Sequence, residues 1–464
     1  MTGLEWVPIA LAVGCLLLFI TSGVRVGLAL LAAGTVGIIL VDGVGAALSI
    51  LGSRMFRSVA TYSLTVIPMF ILMGYFLNNT RLPSDIFASM RGISDRVPGA
   101  MGLASIGACA GFGAVTGSSI TGVAAIGPMA IREMRRNGYS REFAGGLIAA
   151  AGTLGILIPP SISLVIFAIL AGASIGQALI AGIVPGVFSA LVYGAMTVYL
   201  ASSGRGLERK SSVSTHQDIA LADEPLYEKD TEVEGSTTGG IRSRSALALV
   251  QVAVLFILVV GGIYSGLVTV TESAALGAGG ALVILVLDHA SRREKSIVGG
   301  VSEALGQSVS VTSMVFLLIV GGAIFGHFLT ISGITRSFTQ WASATDLPPI
   351  MIVAAILVGL IVLGMFIDGL TILLITIPLT APLVIGTFGF DPLWYGIVVV
   401  KTIEIGLITP PLGVNAYIVS GIAPDMPSHL VFRGAVPFLL ADIATIAVLF
   451  SFPQIVLWLP AQMA

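Results

Sequence analysis

The chain has 464 residues, of which 56% are hydrophobic and only 10% are charged. This composition excludes an ordinary soluble domain, because a soluble fold could hardly bury so much apolar surface. The net charge of −2 gives no indication of nucleic-acid binding. Uncharged stretches long enough to cross a bilayer recur along the sequence, for example at residues 6–22, 26–41, 245–265 and 308–330. We therefore predict an all-α polytopic membrane protein.

The chain begins with an apolar stretch that has no basic flank, so we predict a retained membrane span rather than a signal peptide. Cys15 and Cys109 both lie in apolar runs, where cysteine is usually a buried small hydrophobe rather than half of a disulfide or metal pair. The longest polar interval, residues 202–244, combines Ser, Thr and Gly with mixed charges. We interpret it as a flexible linker between two membrane halves.

The two halves of the chain repeat each other. ILIPPS at 156–161 matches LITPPL at 407–412, and GIVPG at 182–186 matches GAVPF at 434–438. Five anchor pairs keep a separation of 250 to 252 residues: Leu77 with Leu329, Pro128 with Pro378, Gly146 with Gly396, Pro160 with Pro411, and Pro185 with Pro437. Five matches in the same order indicate an internal repeat.

Two segments, 99–135 and 348–389, are too long for a turn and are broken in the middle. We interpret them as re-entrant helical hairpins beside about ten full crossings. If each hairpin enters and leaves on one side, almost all of the 22 basic residues fall on one face, which should be the cytoplasmic one. The exceptions are Arg54, Arg57, Arg336 and the intramembrane Lys401. The two hairpins then open to opposite sides, and such inverted repeats are typical of alternating-access transporters.

Each hairpin has a polar tip, GAVTGSSITG at 113–122 and GMFIDGLT at 364–371. Non-helical backbone at that depth leaves amides and carbonyls free to coordinate an ion or an anion. The tip hydroxyls could instead bond to helix carbonyls or pack between helices; they belong to Ser118, Ser119, Thr121 and Thr371. Asp368, which stands 250 residues after Ser118, is our first choice for a residue that touches sodium or substrate.

A double proline interrupts an apolar helical run in each half, at AAGTLGILIPPS (150–161) and IEIGLITPPLG (403–413). Because proline lacks an N–H group, we expect each run to unwind and to expose carbonyls, from Gly155 to Ile158 and from Gly406 to Thr409. A hairpin tip that faces such a break would form a cage. Hydroxyls and neutral carbonyls outnumber carboxylates there, which favours Na⁺ over Mg²⁺ at two sites.

Other ionisable residues within apolar runs can have a structural or a functional role. Lys401 and Glu404 lie three residues apart on one helix and could form a structural ion pair or act in transport. Glu272 follows Thr271 at the start of a helix and is expected to favour its N-terminus. His327 is alone in a long apolar span and is interpreted as a core histidine.

Three function classes compete. An intramembrane enzyme is disfavoured because the sequence has no HExxH motif and no pair of aspartates in a GxGD setting. A channel would require rings of charge or a filter around a symmetric pore, whereas paired hairpins suggest two ion sites within one protomer. The sequence therefore predicts a transporter.

At these residues the sequence resembles the large membrane subunit of TRAP (tripartite ATP-independent periplasmic) transporters. The resemblance covers nearly the whole chain and includes GAVTGSSITGVAAIGPMAI, the TVTESAALG run and GFDPLWYGIVVVKTIEIGLITPPLGVNAYIVSGIAP. It implies an elevator-type member of the ion-transporter superfamily, in which a core that holds both hairpins slides against a scaffold of outer helices. It also implies sodium-coupled import of an organic acid anion.

The resemblance places sodium on Ser118 and Ser119 with Gly155 to Pro159, and on Asp368 and Thr371 with Gly406 to Thr409. The metal ligands expected from it are Ser118, Ser119, Gly155, Ile158, Pro159, Asp368, Thr371, Gly406 and Thr409. Residues expected to contact substrate or ion, on the hairpin tips and facing helices, are Gly117, Ser118, Ser119, Thr121, Thr153, Asp368, Gly369, Thr371 and Asn415.

The expected organisation has five parts: N-terminal scaffold 1–98, first core repeat 99–186, scaffold 187–347 with the linker, second core repeat 348–425, and a C-terminal helix 426–464. The resemblance implies a bacterial inner-membrane location, a separate small four-helix membrane subunit and a periplasmic substrate-binding protein as partners. The small subunit is not expected to be fused, because no further helices precede residue 1. The nearest alternative is a stand-alone sodium:dicarboxylate symporter or antiporter.

Overall fold

The structure is a computed structural model that describes residues 6–94, 97–204, 206, 238–291 and 296–463. The described residues form helices and contain no β-strand. The first half comprises α1 (Trp6–Thr21), α2 (Val26–Val59), α3 (Val66–Asn78), α4 (Leu82–Ser94), α5 (Ala100–Thr116), α6 (Ser119–Arg136), α7 (Arg141–Leu157), α8 (Ile162–Ala171), α9 (Ile175–Ala181) and α10 (Ile183–Ser202).

The second half comprises α11 (Thr238–Phe256), α12 (Val270–Ser291), α13 (Ile297–Ile331), α14 (Ile334–Ala344), α15 (Pro349–Gly364), α16 (Gly369–Ala381), α17 (Pro392–Ile408), α18 (Val414–Ile422), α19 (Ser428–Ser451) and α20 (Gln454–Leu457). Two π-helical turns, Ile257–Gly261 and Pro382–Thr387, extend α11 and α16. Most of the predicted linker, at 207–237, lies outside the described residues, and its end at 238–244 is part of α11.

Seven of the described helices are long and apolar enough to cross a membrane, and the count rises to eight if the bent pair of α7 and α8 is one span. About ten crossings were expected. The difference lies partly in short apolar helices such as α1, which has 16 residues. At 1.5 Å per residue such a helix is about 24 Å long, which is shorter than the hydrocarbon core of about 30 Å. The prediction of a polytopic, all-helical membrane protein is confirmed.

The two longest helices, α2 and α13, pack along each other because glycines allow their backbones to approach. A Cβ atom added to Gly34 would lie 2.8 Å from Phe325 Cα, and one on Gly27 would lie 2.8 Å from the carbonyl carbon of Leu317. Buried side chains of α1, α2 and α13 form a separate hydrophobic cluster. The main core is built mainly by helices from α3 onward and includes Ile158 and Ile408, which lie just before the two double prolines.

Both predicted hairpins have a helix, a break and a second helix. In the first, α5 and α6 are joined by Gly117 and Ser118, and Gly117 has the left-handed φ of +63° that glycine adopts without strain. In the second, α15 and α16 are joined by residues 365–368. In each hairpin the two helices pack against each other and against the helix that carries the double proline of the same half.

The double prolines end α7 at Leu157 and α17 at Ile408, each three residues later than predicted. Ile158 and Thr409, which precede the prolines, are extended, as expected for residues before proline. The chain becomes helical again at Ile162 and Val414. The angle between α7 and α8 is 46°.

Candidate functional site

The first hairpin tip is organised by an N-cap. The Ser118 hydroxyl accepts a hydrogen bond from the Thr121 backbone N–H at 3.4 Å, and the Thr121 hydroxyl donates to the same oxygen at 3.2 Å. Ser119 begins α6 and is only 4% exposed. Because serine is a preferred N-cap, the sequence starts α6 at this point.

The second tip has the same arrangement with a carboxylate in place of the hydroxyl. Asp368 caps α16, and one of its oxygens accepts a hydrogen bond from the Thr371 N–H at 3.1 Å. The other oxygen accepts from the hydroxyl of Thr371, which is fully buried. Asp368 therefore caps α16 in the way that Ser118, 250 residues earlier, caps α6. Both carboxylate oxygens keep lone pairs for a further ligand.

The first tip touches the broken helix of its own half through glycine. A Cβ atom on Gly113, near the end of α5, would lie 2.5 Å from Gly155 Cα on α7. One on Gly155 would lie 3.1 Å from the Ser118 carbonyl oxygen, and one on Gly117 would clash with the Pro160 carbonyl oxygen. The main chain of the tip is thus in direct contact with the main chain of the break.

The second half repeats this contact. A Cβ atom on Gly364, at the end of α15, would lie 3.0 Å from Gly406 Cα on α17, and one on Gly406 would lie 2.5 Å from Gly364 Cα. Across the break, the Leu412 N–H donates to the Met365 carbonyl at 3.2 Å. The glycine pairs of the two halves have equivalent positions, with Gly113 and Gly155 each 251 residues before Gly364 and Gly406.

Helix carbonyls beside each break lose their usual donors. The carbonyls of Gly155 and Ile156 lie four residues before prolines, which have no N–H, while both residues remain helical. In the second half the Gly406 carbonyl accepts from the Thr409 N–H at 3.2 Å, and the Thr409 hydroxyl bonds back to the Ile405 carbonyl at 2.6 Å. The predicted carbonyls of residues 155–157 and 406–408 thus belong to the last turns of intact helices, those of Ile158 and Thr409 lie just beyond the helix ends, and the Gly406 carbonyl is already bonded.

The donor set of both tips and breaks is chemically suited to a hard cation. It consists of hydroxyl and carbonyl oxygens together with one carboxylate, and sodium accepts such oxygen ligands. Of the predicted residues, Ser118, Gly117 and Gly155 meet in the first half. Asp368, Thr371 and Gly369 lie on the second tip, where a Cβ on Gly369 would lie 2.7 Å from the Ile403 side chain of α17.

Thr153 and Asn415 make their hydrogen bonds to residues outside the tips. The Thr153 hydroxyl donates to the Ala150 carbonyl at 2.8 Å and lies 3.3 Å from the Tyr193 hydroxyl. The Asn415 amide donates to the Ala149 carbonyl at 3.0 Å and so ties α18 to α7. Its Oδ1 is buried and has no hydrogen-bond partner among the described residues.

Lys401 and Glu404 form the anticipated ion pair, with Nζ 2.9 Å from Oε2. Lys401 also contacts a second carboxylate that the sequence analysis overlooked, since its Nζ lies 2.7 Å from Asp442 Oδ1. The Tyr193 hydroxyl donates to Asp442 Oδ2 at 2.6 Å. All four side chains are fully buried. A lone aspartate in the apolar run of α19 was the signal that could have identified Asp442.

The remaining predictions have mixed outcomes. Cys15 and Cys109 are free thiols, as expected, although only Cys109 is fully buried. Glu272 accepts hydrogen bonds from the N–H and the hydroxyl of Thr269, at 2.7 and 2.8 Å, and so caps α12, which starts at Val270. His327 is only partly buried and is not the enclosed core histidine that was predicted.

Comparison with known proteins gives matches over almost the full chain. The model of the family described as "Tripartite ATP-independent periplasmic transporter, DctM component" matches residues 13–455. The C4-dicarboxylate TRAP transporter large permease protein DctM of Pseudomonas aeruginosa is 31% identical over 88% of this chain and 89% of its own length. The ectoine TRAP transporter large permease protein TeaC of Halomonas elongata is 27% identical over 98% of both chains.

A third relative is longer than this chain. The isethionate TRAP transporter permease protein DctMQ of Oleidesulfovibrio alaskensis is 33% identical over 90% of this chain but only 61% of its own length. Among solved structures, the YdaH transporter of Alcanivorax borkumensis superposes with a TM-score of 0.62 at 14% identity, covering 95% of this chain and 98% of that one. That likeness concerns the fold alone.

Proposed function

The chain belongs to the DctM component family of tripartite ATP-independent periplasmic transporters, and from this premise we propose that it is the large membrane subunit of a sodium-coupled importer of a small organic acid anion. The relatives are transporter permeases rather than enzymes, in agreement with the prediction from sequence. The solutes in their names are C4-dicarboxylate, isethionate and ectoine, and the first of these supports a small organic acid anion as the solute.

The observation that carries the proposal is the paired contact between tip and break. In each half an N-capped tip meets, through a glycine pair, a helix whose last carbonyls have lost donors to proline. Two such arrangements support two sodium sites, one with Ser118 and Ser119 and the other with Asp368 and Thr371. The tip helices α6 and α16 begin at Ser119 and Gly369, next to these contacts, and helix N-termini stabilise a bound carboxylate.

We further propose inverted repeats with re-entrant hairpins and an elevator mechanism. The glycine contacts support movement of each hairpin with its own broken helix, because backbone-to-backbone packing resists sliding. The long α2 and α13 pack on each other and share a separate cluster with α1, which supports a role as scaffold. In this mechanism the core repeats 99–186 and 348–425 carry ions and substrate past that scaffold.

The proposed partners are a small four-helix membrane subunit and a periplasmic substrate-binding protein, with the assembly in the bacterial inner membrane. The family match supports a three-component system. Outward-facing apolar side chains on α2, α11 and α13 support contact with lipid or with the small subunit; they include Leu48, Val250, Ile257, Val298 and Val309.

The test is uptake of a panel of labelled organic anions into proteoliposomes that hold the chain with its small subunit. We expect uptake only with an inward sodium gradient and the matching binding protein. Uptake without sodium would refute the coupling. Uptake by the chain alone, without the binding protein, would instead indicate the stand-alone symporter.

The first sodium site is tested in the same assay by Ser119→Ala, which should raise the sodium concentration for half-maximal uptake. Ser105→Ala is the matched control, because Ser105 is a buried serine of the same hairpin whose hydroxyl bonds only to the Met101 carbonyl. If the two variants need the same sodium concentration for half-maximal uptake, Ser119 is not a sodium ligand.

A further inference from the structure

A buried polar chain of five side chains links the two halves of the core. Thr153 on α7 lies 3.3 Å from the hydroxyl of Tyr193 on α10, which donates to Asp442 on α19 at 2.6 Å. Asp442 contacts Lys401 on α17 at 2.7 Å, and Lys401 contacts Glu404 of the same helix at 2.9 Å. Each of these side chains has 0% exposure.

The two ends of this chain lie beside the two breaks. Thr153 is two residues before Gly155, whose backbone touches the first hairpin. Glu404 is two residues before Gly406, whose backbone touches the second hairpin. The polar chain therefore connects the last turns of both broken helices without passing through either tip.

Stability alone gives little reason for such a chain. Charges buried in a protein interior lose hydration, and replacing them with apolar residues of similar size is often neutral or stabilising. Lys401 lies 5.4 Å from the centre of the Tyr193 ring as well as against two carboxylates. The arrangement fixes the relative position of four helices by directional contacts, which apolar side chains cannot do.

We propose that Tyr193 and Asp442 are positioning residues that couple the two ion cages, so that occupancy of one cage changes the sodium affinity of the other. The proposal rests on the proposed function, because it needs both cages to bind sodium. A shift of α7 at the first break moves Thr153, and the hydrogen bonds from Tyr193 to Asp442 transmit that shift to α17 through Lys401. Coupling of this kind is reciprocal.

Tyr193→Phe is the sharpest perturbation, because it removes only the hydroxyl that joins Thr153 to Asp442 and leaves Lys401 paired with both carboxylates. Tyr395→Phe is the matched control. Tyr395 is also fully buried, and its hydroxyl donates at 2.7 Å to Thr380, outside the polar chain. Both variants lose one buried hydroxyl from an aromatic ring of the same size.

The measurement is the sodium dependence of uptake in proteoliposomes that hold the chain with its small subunit, supplied with the binding protein. We expect the wild type and Tyr395→Phe to show a Hill coefficient above 1, and Tyr193→Phe to show one near 1. In Tyr193→Phe the sodium concentration for half-maximal uptake should rise by about two- to thirty-fold, which is the range that mutations within a coupling network typically produce. The maximal rate should stay within about two-fold, because no ligand of substrate or ion is altered.

Thr153→Val also interrupts the polar chain and covers the case in which Tyr193→Phe does not fold; because Thr153 is itself an expected contact of substrate or ion, only its Hill coefficient is compared. Thr402→Val is its control, since Thr402 is equally buried and bonds only to the Val398 carbonyl of its own helix. We expect the double variant Thr153→Val/Tyr193→Phe to resemble either single one, because both interrupt one path.

The outcomes separate this inference from the proposed function. Uptake of the wild type that does not depend on sodium would overturn the proposed function itself. Sodium-dependent uptake with a Hill coefficient of 1 in the wild type, or with equal coefficients in Tyr193→Phe and Tyr395→Phe, would overturn the coupling role and leave the sodium sites in place.

Discussion

Gly406→Ala tests the contact between the second hairpin and its broken helix. The added Cβ atom would lie 2.5 Å from the Cα and carbonyl carbons of Gly364 and 2.7 Å from its oxygen. Real Cβ atoms essentially never approach closer than 3.0 Å, and ordinary contact begins at 3.4 Å. The end of α15 must therefore retreat by about 1 Å, because the neighbour is backbone and cannot rotate away.

The expected cost follows from two opposing effects. Overpacking of this kind costs about 1–3 kcal/mol, while alanine is favoured over glycine within a helix by about 1 kcal/mol. The net destabilisation is therefore about 0–2 kcal/mol. The displacement itself has a larger functional effect, because misplacing a coordinating group by about 1 Å weakens a site strongly. We expect half-saturation for sodium to rise by at least about ten-fold.

The assay combines thermal unfolding of the purified subunit pair with sodium-dependent uptake in proteoliposomes. Gly359→Ala is the control, since this glycine is an exposed residue of α15 and a Cβ there would meet nothing within 4 Å. The control should be as stable as the wild type or more stable, with unchanged sodium dependence. Identical unfolding temperatures and sodium half-saturation in the two variants would refute the close approach of Gly406 to Gly364.

Three further predictions concern charge and sidedness. Asp368→Asn should keep the cap of α16, because asparagine is an equally good N-cap, yet raise half-saturation for sodium in uptake assays; an unchanged value would exclude the carboxylate from the cage. Lys401→Met leaves buried carboxylates without their cation and should cost about 3–5 kcal/mol, seen as a lower unfolding temperature. Adding Asp442→Asn should recover part of that loss, and no recovery would contradict the pairing. In a cysteine-free background, Asn137→Cys should react with an impermeant thiol reagent only from the cytoplasm and Asp346→Cys only from outside. Labelling of both from one side would contradict inverted hairpins.

The breaks and tips could be predicted from sequence because their causes are local. Proline removes a donor and restricts the preceding residue wherever it occurs, and serine and aspartate are preferred N-caps. Ser118 and Asp368 therefore sit where the sequence placed them. The helix ends were predicted too early because loss of a proline N–H frees the Gly155 carbonyl without changing the helical geometry of Gly155 itself.

The buried network could be predicted only in part because its partners are far apart in the chain. The pair of Lys401 and Glu404 follows from helical spacing. The hydrogen bond from Tyr193 to Asp442, in contrast, joins residues 249 positions apart. No periodicity indicates which helix faces which at that distance. The full burial of Thr153 and the partial exposure of His327 depend equally on helix packing.

Main chain meets main chain where Gly113 packs on Gly155 and where Gly364 packs on Gly406. This contact has a consequence for how the sequence can change. Carbonyl oxygens are the same for every amino acid, so most substitutions nearby leave the oxygens at the breaks chemically unchanged. A substitution at one of these glycines can abolish the contact by adding bulk, but it cannot change the contact in small steps. This backbone contact can thus stay unchanged while neighbouring side chains vary.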